Sequence, residues 1–127
     1  MEGNIALARL LLAHGATVNL ADEQGATPLH AAAASGNVEL VTLLLDKGAD
    51  IHATASGWTP LHTAAMKKQR GAAELLLARG ADVNARTGYG QTPLDVLTEP
   101  IRLGGEPVEF IELLRRYGGT LTNDDEK

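Results

Sequence analysis

The chain of 127 residues contains no cysteine and only four aromatic residues. The lack of cysteine excludes disulfides, a cysteine-based zinc site and a thiol nucleophile. It fits a reducing compartment, and we predict a cytoplasmic, intracellular location. With one Trp, two Tyr and one Phe, the core must be built from Leu, Val, Ile and Ala, which suits thin layers of closely packed helices.

Long apolar runs are also missing. The longest, near residues 5–13, is interrupted by Arg9 and is too short to cross a bilayer. No cationic start followed by an apolar stretch resembles a signal peptide. We therefore expect no membrane among the partners.

Charge is unevenly distributed along a chain whose net charge is −5. Residues 22–54 hold five acids and one Lys, residues 55–90 hold five bases and two acids, and residues 91–127 hold eight acids and four bases. An acidic chain lacks the broad positive surface that phosphate backbones require, so we expect no nucleic acid partner. The basic middle segment either steers a partner with acidic groups or is a solvated surface of mixed charge.

Repetition is the main positive signal in the sequence. The phrase Thr-Pro-Leu begins at Thr27, Thr59 and Thr92, with spacings of 32 and 33 residues, and a Gly-Ala pair recurs on the same period at residues 15–16, 48–49 and 80–81. A fixed period near 33, with a turn and two helices in each unit, indicates a stacked repeat array. Such arrays have long surfaces and rarely a closed catalytic pocket, so the period favours a protein that is not an enzyme.

Residues 22–54 illustrate one unit. Thr27 is predicted to cap a short Ala-rich helix with Pro28 at its first position, and Gly36 to end it in the left-handed conformation. Asn37 then caps a second helix that Gly48 closes. The apolar stripe of this second helix comprises Val38, Leu40, Val41, Leu43, Leu44 and Leu45. Neither helix can bury its apolar face alone, so each unit stabilises its neighbours.

This pattern resembles the ankyrin repeat, whose units run Asp-x-x-Gly-x-Thr-Pro-Leu-His-x-Ala-Ala, then Gly-x-x-Glu, then Leu-Leu-Leu-x-x-Gly-Ala-Asp-Val-Asn. The resemblance implies an all-α solenoid of helix-turn-helix units with short β-turn or hairpin tips. We predict a single domain over residues 1–121 and an acidic flexible tail at 122–127. The domain is predicted to contain an N-terminal half unit at 3–21 and three full units at 22–54, 55–86 and 87–121.

Departures from the repeat pattern carry two further predictions. The half unit lacks its first helix, and an uncovered apolar face there would favour self-association. In the unit 55–86, Lys68 replaces the Gly expected from Gly36, the turn is one residue shorter, and Gly71 lies inside the second helix. Because Gly costs about 1 kcal/mol in a helix interior, we expect this unit to be the softest of the three, and Gly71→Glu to stabilise it.

His30 and His62 occupy equivalent positions of successive units and invite a metal or general-base interpretation. The resemblance instead implies that each ring bonds a neighbouring Thr and backbone groups and orders the turn. No Ser-His-Asp order, His-Glu-x-x-His motif or catalytic carboxylate pair is present. We predict no catalytic residue, no metal site and no cofactor.

Asn84 ends an Asp-Val-Asn phrase with Leu76 eight residues before it. In animals, ankyrin units with this spacing can be substrates of an asparaginyl hydroxylase. Asn is also a common turn residue with a purely structural role. The sequence leaves both interpretations open.

The resemblance implies a concave binding face lined by the turn tips and the first helices. Trp58 is the only Trp, and the repeat pattern requires no indole at its position, so we expect it to centre a binding patch. The alternative is that it covers neighbouring turns. The predicted partner-binding residues are Glu23, Gln24, Ser35, Trp58, Met66, Lys67, Tyr89 and Gln91.

The favoured function is a non-catalytic module that binds another protein or peptide on this face. Two alternatives remain open. The first is a fragment or a regulatory or chaperone subunit linked to an enzyme, and the second is an array that binds a small anion.

Overall fold

The structure, a computed structural model, describes residues 18–98 and 108–120. Within these ranges it contains helices and no strand, which confirms the predicted all-α solenoid. The helices are α1 (Pro28–Ser35), α2 (Val38–Asp46), α3 (Pro60–Met66), α4 (Arg70–Ala78), α5 (Pro93–Thr98) and α6 (Val108–Arg116). The tail at 122–127 and all of the half unit except residues 18–21 lie outside the described residues, so self-association there stays a prediction.

The first helix of each unit begins in the way that the repeated phrase predicts. Thr27 and Thr59 precede the helices with extended backbone, and each is followed by Pro at the first helical position. Gly36 ends α1 at a φ of 76°, and its N–H donates to the carbonyls of the last turn. Asn37 then caps α2 by accepting from the N–H of Leu40 at 3.1 Å.

The helices pack in two layers. In one layer α1 contacts α3 and α3 contacts α5, and in the other α2 contacts α4. Small side chains allow this close approach, because the paired alanines of α1, α3 and α4 are at most 1% exposed. The larger buried side chains include Leu29, Leu61 and Leu94 from the first helices and Val41, Leu76 and Leu113 from the second. Val38, which the sequence placed on the apolar stripe, is 42% exposed at the first position of α2.

The tip before α3 is a two-residue hairpin turn. Ala55 and Trp58 exchange backbone hydrogen bonds of 2.8 and 2.9 Å, and both central residues have positive φ, 50° at Ser56 and 86° at Gly57. This is the type I′ geometry that such short hairpins require. In the preceding tip, which has one more residue, only Gly25 has positive φ. The shorter tip therefore forces a non-glycine residue into the left-handed region.

Successive tips touch through their backbones. A Cβ atom on Gly25 would lie 2.6 Å from the carbonyl oxygen of Thr54, and one on Gly57 would lie 2.7 Å from the nitrogen of Gly88. The N–H of Ser56 also donates to the carbonyl of Gln24 at 2.9 Å. These glycines are required because no side chain fits between neighbouring tips.

Candidate functional site

The buried histidines connect each unit to the next. Nδ1 of His62 accepts from the N–H of Thr59 at 3.2 Å, and Nε2 lies 2.9 Å from the carbonyl oxygen of Gln91 in the following unit. His30 makes the same connection to the carbonyl of Trp58 at 2.8 Å. The expectation that these rings bond Thr and backbone groups is confirmed. Because both ring nitrogens are used, neither ring is free to bind a metal ion or to act as a base.

His62 is held in its neutral form. The side chain is fully buried, and burial lowers its pKa, while the hydrogen bond to the carbonyl of Gln91 opposes the shift. A neutral ring with its proton on Nε2 matches an accepting Nδ1 and a donating Nε2. Among the described residues, no group of three His, Cys, Asp or Glu side chains is arranged to hold a metal ion.

Trp58 is half-buried and packs against the hydrophobic core. Its ring meets the ring of His62 edge-on, with centroids 5.7 Å apart and an interplanar angle of 63°. The repeat pattern alone did not require an indole here, but in this chain the indole covers the buried histidine. Trp58 therefore has a packing role, whether or not its exposed part contacts a partner.

The structure divides the predicted partner-binding residues into two groups. The tip group, at the start of the first helices, comprises Glu23, Gln24, Trp58, Tyr89 and Gln91. The loop group, at the far end of α1 and α3, comprises Ser35, Met66 and Lys67. Trp58 and Met66 flank α3, whose seven residues span about 10 Å. The single patch that the sequence predicted is thus two surfaces at opposite ends of the first helices.

Exposure differs between members of these groups. Tyr89 is 91% exposed and Met66 49%, the most prominent large apolar side chains of the two groups. Gln91 is partly buried, and its carbonyl is used by His62. Tyr89 and Met66 are therefore the stronger candidates for a direct contact with a partner.

The Asn84 side chain forms two hydrogen bonds with the backbone of the following unit, and we call this pair of bonds a clamp. Its Nδ2 donates to the carbonyl of Gly118 at 3.0 Å, and its Oδ1 accepts from the N–H of Thr120 at 2.8 Å. These bonds give the side chain the structural role that was one of the two interpretations open from the sequence. Sequence analysis missed the clamp, although the recurrence of Asn at one position of the period was an available signal.

Asn19 makes the same clamp two periods earlier. Its Nδ2 donates to the carbonyl of Gly48 at 3.1 Å, and its Oδ1 accepts from the N–H of Asp50 at 2.7 Å. The intervening unit has His52 at this position. The His52 side chain is exposed and makes no hydrogen bond with the described residues. Of the three boundaries between successive units, here called seams, the one that follows His52 therefore lacks its clamp.

Gln69 is a second connecting residue that sequence analysis missed. Its Nε2 donates to the carbonyl of Ala34 at 3.1 Å, and its side chain fills the space beside Gly36. A Cβ atom on Gly36 would lie 2.3 Å from Oε1 of Gln69. Gly36, between α1 and α2, thus leaves room for the Gln69 side chain, which belongs to the equivalent loop of the next unit.

An open, mostly apolar groove of about 380 Å³ lies beside the first tip and the start of α1. Its lining comprises Leu20, Ala21, Asp22, Ala26, Thr27, Pro28 and Ala31. Among these described residues Asp22 is the one titratable group, and the rest of the lining is apolar apart from Thr27.

The two-layer stack of capped helix pairs, with histidines joining unit to unit, defines a helical repeat protein. A family model described as ankyrin repeats in three copies matches residues 1–87. The chain belongs to the ankyrin-repeat family.

Curated relatives share parts of this array. A segment of 54 residues, 42% of the chain, is 43% identical to human protein phosphatase 1 regulatory subunit 27 and covers 35% of it. Another of 53 residues, 41% of the chain, is 45% identical to human ankyrin repeat domain-containing protein 49 and covers 22% of it. A third of 43 residues, 34% of the chain, is 56% identical to the Caenorhabditis elegans homolog of ankyrin repeat and LEM domain-containing protein 1 and covers 6% of it. The chain therefore spans about a third or less of each of these relatives.

Ankyrin repeats are in general modules of protein interaction, which is the class of function that the family defines for this chain. None of the helices within residues 18–98 and 108–120 has the length and apolar character needed to cross a membrane.

Proposed function

We propose that this array is a non-catalytic module that binds a partner protein or peptide on its inner face, meaning the tips and the exposed positions of α1, α3 and α5. The exposure of Tyr89, at 91%, carries the proposal. A tyrosine held in a turn is a residue type enriched at binding hot spots. The scaffold beneath it is self-sufficient, since no buried side-chain polar atom of the described residues lacks a hydrogen-bond partner.

The proposal includes an intracellular setting and no cofactor or nucleic acid partner. Two features support it: the absence of cysteine and the net charge of −5. The first suits a reducing compartment, and the second disfavours phosphate backbones.

The test compares two exposed positions on different faces. Wild-type chain, Tyr89→Ala and the control Glu74→Ala, on the exposed side of α4, are immobilised, and proteins captured from an extract are quantified by mass spectrometry. A partner of the inner face falls at least about tenfold with Tyr89→Ala and is unchanged with Glu74→Ala. A captured set that responds to neither variant, or equally to both, contradicts the proposal.

Trp58→Ala is a poorer probe of the same face. The half-buried indole packs against His62, so its removal affects folding as well as contact. A loss of binding by this variant is interpretable only after correction for the unfolded fraction, measured by thermal melts.

A regulatory role toward an enzyme is the second candidate. The 43% identity to part of a protein phosphatase regulatory subunit favours it. The test is to titrate the chain into the catalytic subunit of protein phosphatase 1 and follow hydrolysis of a phosphopeptide. A rate and a binding isotherm that stay flat at micromolar chain reject this candidate and leave the module proposal standing.

The small-anion array is the least favoured candidate. Of its two possible centres, the basic patch and the region of His30 and His62, the second has both rings engaged with Thr and carbonyl partners. An anion there would have to displace these internal hydrogen bonds, which cost about 1–3 kcal/mol each to leave unmade.

A further inference from the structure

The loop that joins α3 to α4 is a concentrated positive surface. Met66, Lys67, Lys68 and Arg70, here called the cationic corner, are all exposed. Lys67 and Lys68 form no ion pair with the described residues, and the first turn of α4 contains no acidic residue. Lys67 and Lys68 therefore present positive charge without an ion-pair partner among the described residues.

The equivalent loop of the preceding unit follows the same backbone path with different chemistry. It has uncharged Ser35, Gly36 and Asn37, and its second helix carries Glu39 in the first turn. At the position of Gly36 (φ 76°), the cationic corner has Lys68 at a φ of 58°. The repeat architecture favours Gly there, so the lysine is not explained by the needs of the fold.

The backbone of the cationic corner is held rigidly. The N–H groups of Lys67 and Lys68 donate to the carbonyls of Thr63 and Ala65 at 3.0 Å each. The following residue, Gln69, bonds Ala64 through its N–H at 2.8 Å, and its side chain bonds the preceding unit. A fixed backbone lowers the entropy lost when the two lysines engage a ligand.

We propose that the cationic corner binds an acidic peptide segment of the partner protein. This inference rests on the proposed function, and it adds the chemistry of the partner and a second contact surface at the far end of the first helices. An acidic partner is favoured by charge complementarity, because carboxylates can pair with the exposed ammonium groups of Lys67 and Lys68 and speed association. Half-exposed Met66, a flexible apolar side chain, contacts an apolar residue beside the acids.

The test uses a fluorescein-labelled peptide of eight glutamates, with a peptide of eight glutamines as the neutral probe, in anisotropy titrations at low salt. Lys68→Gly removes one charge and relieves a positive φ, so weaker binding cannot come from misfolding. Lys47→Gln is the matched control, because Lys47 is an exposed lysine at the C-cap of α2, away from the corner.

The wild-type chain is expected to bind the glutamate peptide saturably and the glutamine peptide not at all. Lys68→Gly should raise Kd about three- to fivefold, and Lys67→Gln combined with Lys68→Gly about tenfold or more. Lys47→Gln should change Kd less than about twofold, since it lies outside the corner. The affinity should fall as salt rises.

Three results overturn the inference: no saturable binding of the glutamate peptide, an equal loss with Lys47→Gln, or binding of phosphatidylserine vesicles that depends on Lys67 and Lys68 without any peptide binding. The module proposal is judged separately. A partner lost with Tyr89→Ala but unaffected by the lysine variants refutes the acidic-peptide inference alone.

Discussion

Two non-glycine residues, Ser56 and Lys68, have positive φ angles, and each departs from the repeat at a place where Gly or a longer turn would be relaxed. Ser56 is in the shortened tip, and Lys68 follows α3. A single left-handed residue other than Gly costs about 1–2 kcal/mol. Both residues therefore lower the stability of the unit 55–86 through backbone strain, which the burial of its side chains does not reflect.

We predict that Lys68→Gly raises the free energy of unfolding by about 0.5 kcal/mol, the relief of the left-handed backbone less the added entropy of Gly in the unfolded chain. Urea unfolding followed by circular dichroism measures it. The control is Lys67→Gly at a φ of −86°, where Gly brings only the entropy cost and should destabilise. A loss of stability with Lys68→Gly would show that the lysine side chain makes a net stabilising contact.

His62 predicts a dependence of stability on pH. Burial lowers its pKa in the folded array, whereas the unfolded chain takes up a proton near the ordinary value of 6.5. Below that pH the unfolded state binds more protons, so the free energy of unfolding decreases as pH falls, and above it the contribution of His62 is complete. Urea unfolding at about pH 7.5 and pH 5.5 measures the difference.

The control for this dependence is His62→Gln, which keeps a side chain able to accept from Thr59 and donate to Gln91. It should reduce the loss of stability between the two pH values, while His52→Ala, at an exposed position, should leave it unchanged. An identical pH dependence with and without His62 would mean that other groups cause it.

At the scale of elements, the contact between α2 and α4 has little side-chain bulk where the two helices begin. Gly71 in α4 faces Val38 of α2, where an added Cβ would lie 3.3 Å from Cγ2 of Val38. At the opposite end of the same helices, Arg79 donates to Asp46 across the seam. An exposed ion pair contributes little, so packing near Gly71 decides the stability of this seam.

We predict that Gly71→Ala stabilises the chain by up to about 1 kcal/mol, the helix propensity difference, less the cost of shifting Val38 by a few tenths of an ångström. Val38 is 42% exposed and has room to move. Hydrogen exchange of α4 should slow in the variant. In a Val38→Ala background, Gly71→Ala should raise the free energy of unfolding by more than it does in the wild-type chain. A smaller increase in that background would refute the packing argument. The larger Gly71→Glu change should follow the same direction.

Local signals in the sequence sufficed for the helices and failed for the contacts between units. Thr27, Pro28 and Gly36 act within one turn of the chain, so their roles were predictable from neighbours alone. The φ of Ser56 depends on the length of the turn. The bonds of Asn84 to Gly118 and of Gln69 to Ala34 join residues about a period apart, so no local rule specifies them.

At the scale of the whole molecule, the array is a series of seams between similar units. The histidine-to-carbonyl bond joins the unit 22–54 to 55–86 and the unit 55–86 to 87–121, whereas the Asn clamp occurs at Asn19 and Asn84 and is absent at His52. Because units in such arrays contact only their neighbours, the weakest seam limits cooperativity. The seam that follows His52 lacks a connection that the other two seams have.

We predict that His52→Asn stabilises the chain by about 1 kcal/mol, because the amide can bond the carbonyl of Gly80 and the N–H of Asp82 as its counterparts do in their seams. In urea unfolding, His52→Asn should show a higher midpoint and an unchanged or larger m-value, because more of the array would unfold in one transition. His52→Ala serves as the control and should show neither effect. If both substitutions act alike, the clamp is not the cause.

The glycine contacts between tips set a fixed distance along the array. Backbone meets backbone at Gly25 and Gly57, so successive tips cannot move apart or together without losing contact, and layers of packed helices lie about 8–10 Å apart. An extended polypeptide advances about 3.3 Å per residue, so three residues cover one step. Because strand side chains alternate between two faces, a polyproline II segment, which turns once every three residues and rises about 3.1 Å per residue, is the conformation that would present every third side chain to an equivalent position along the tips.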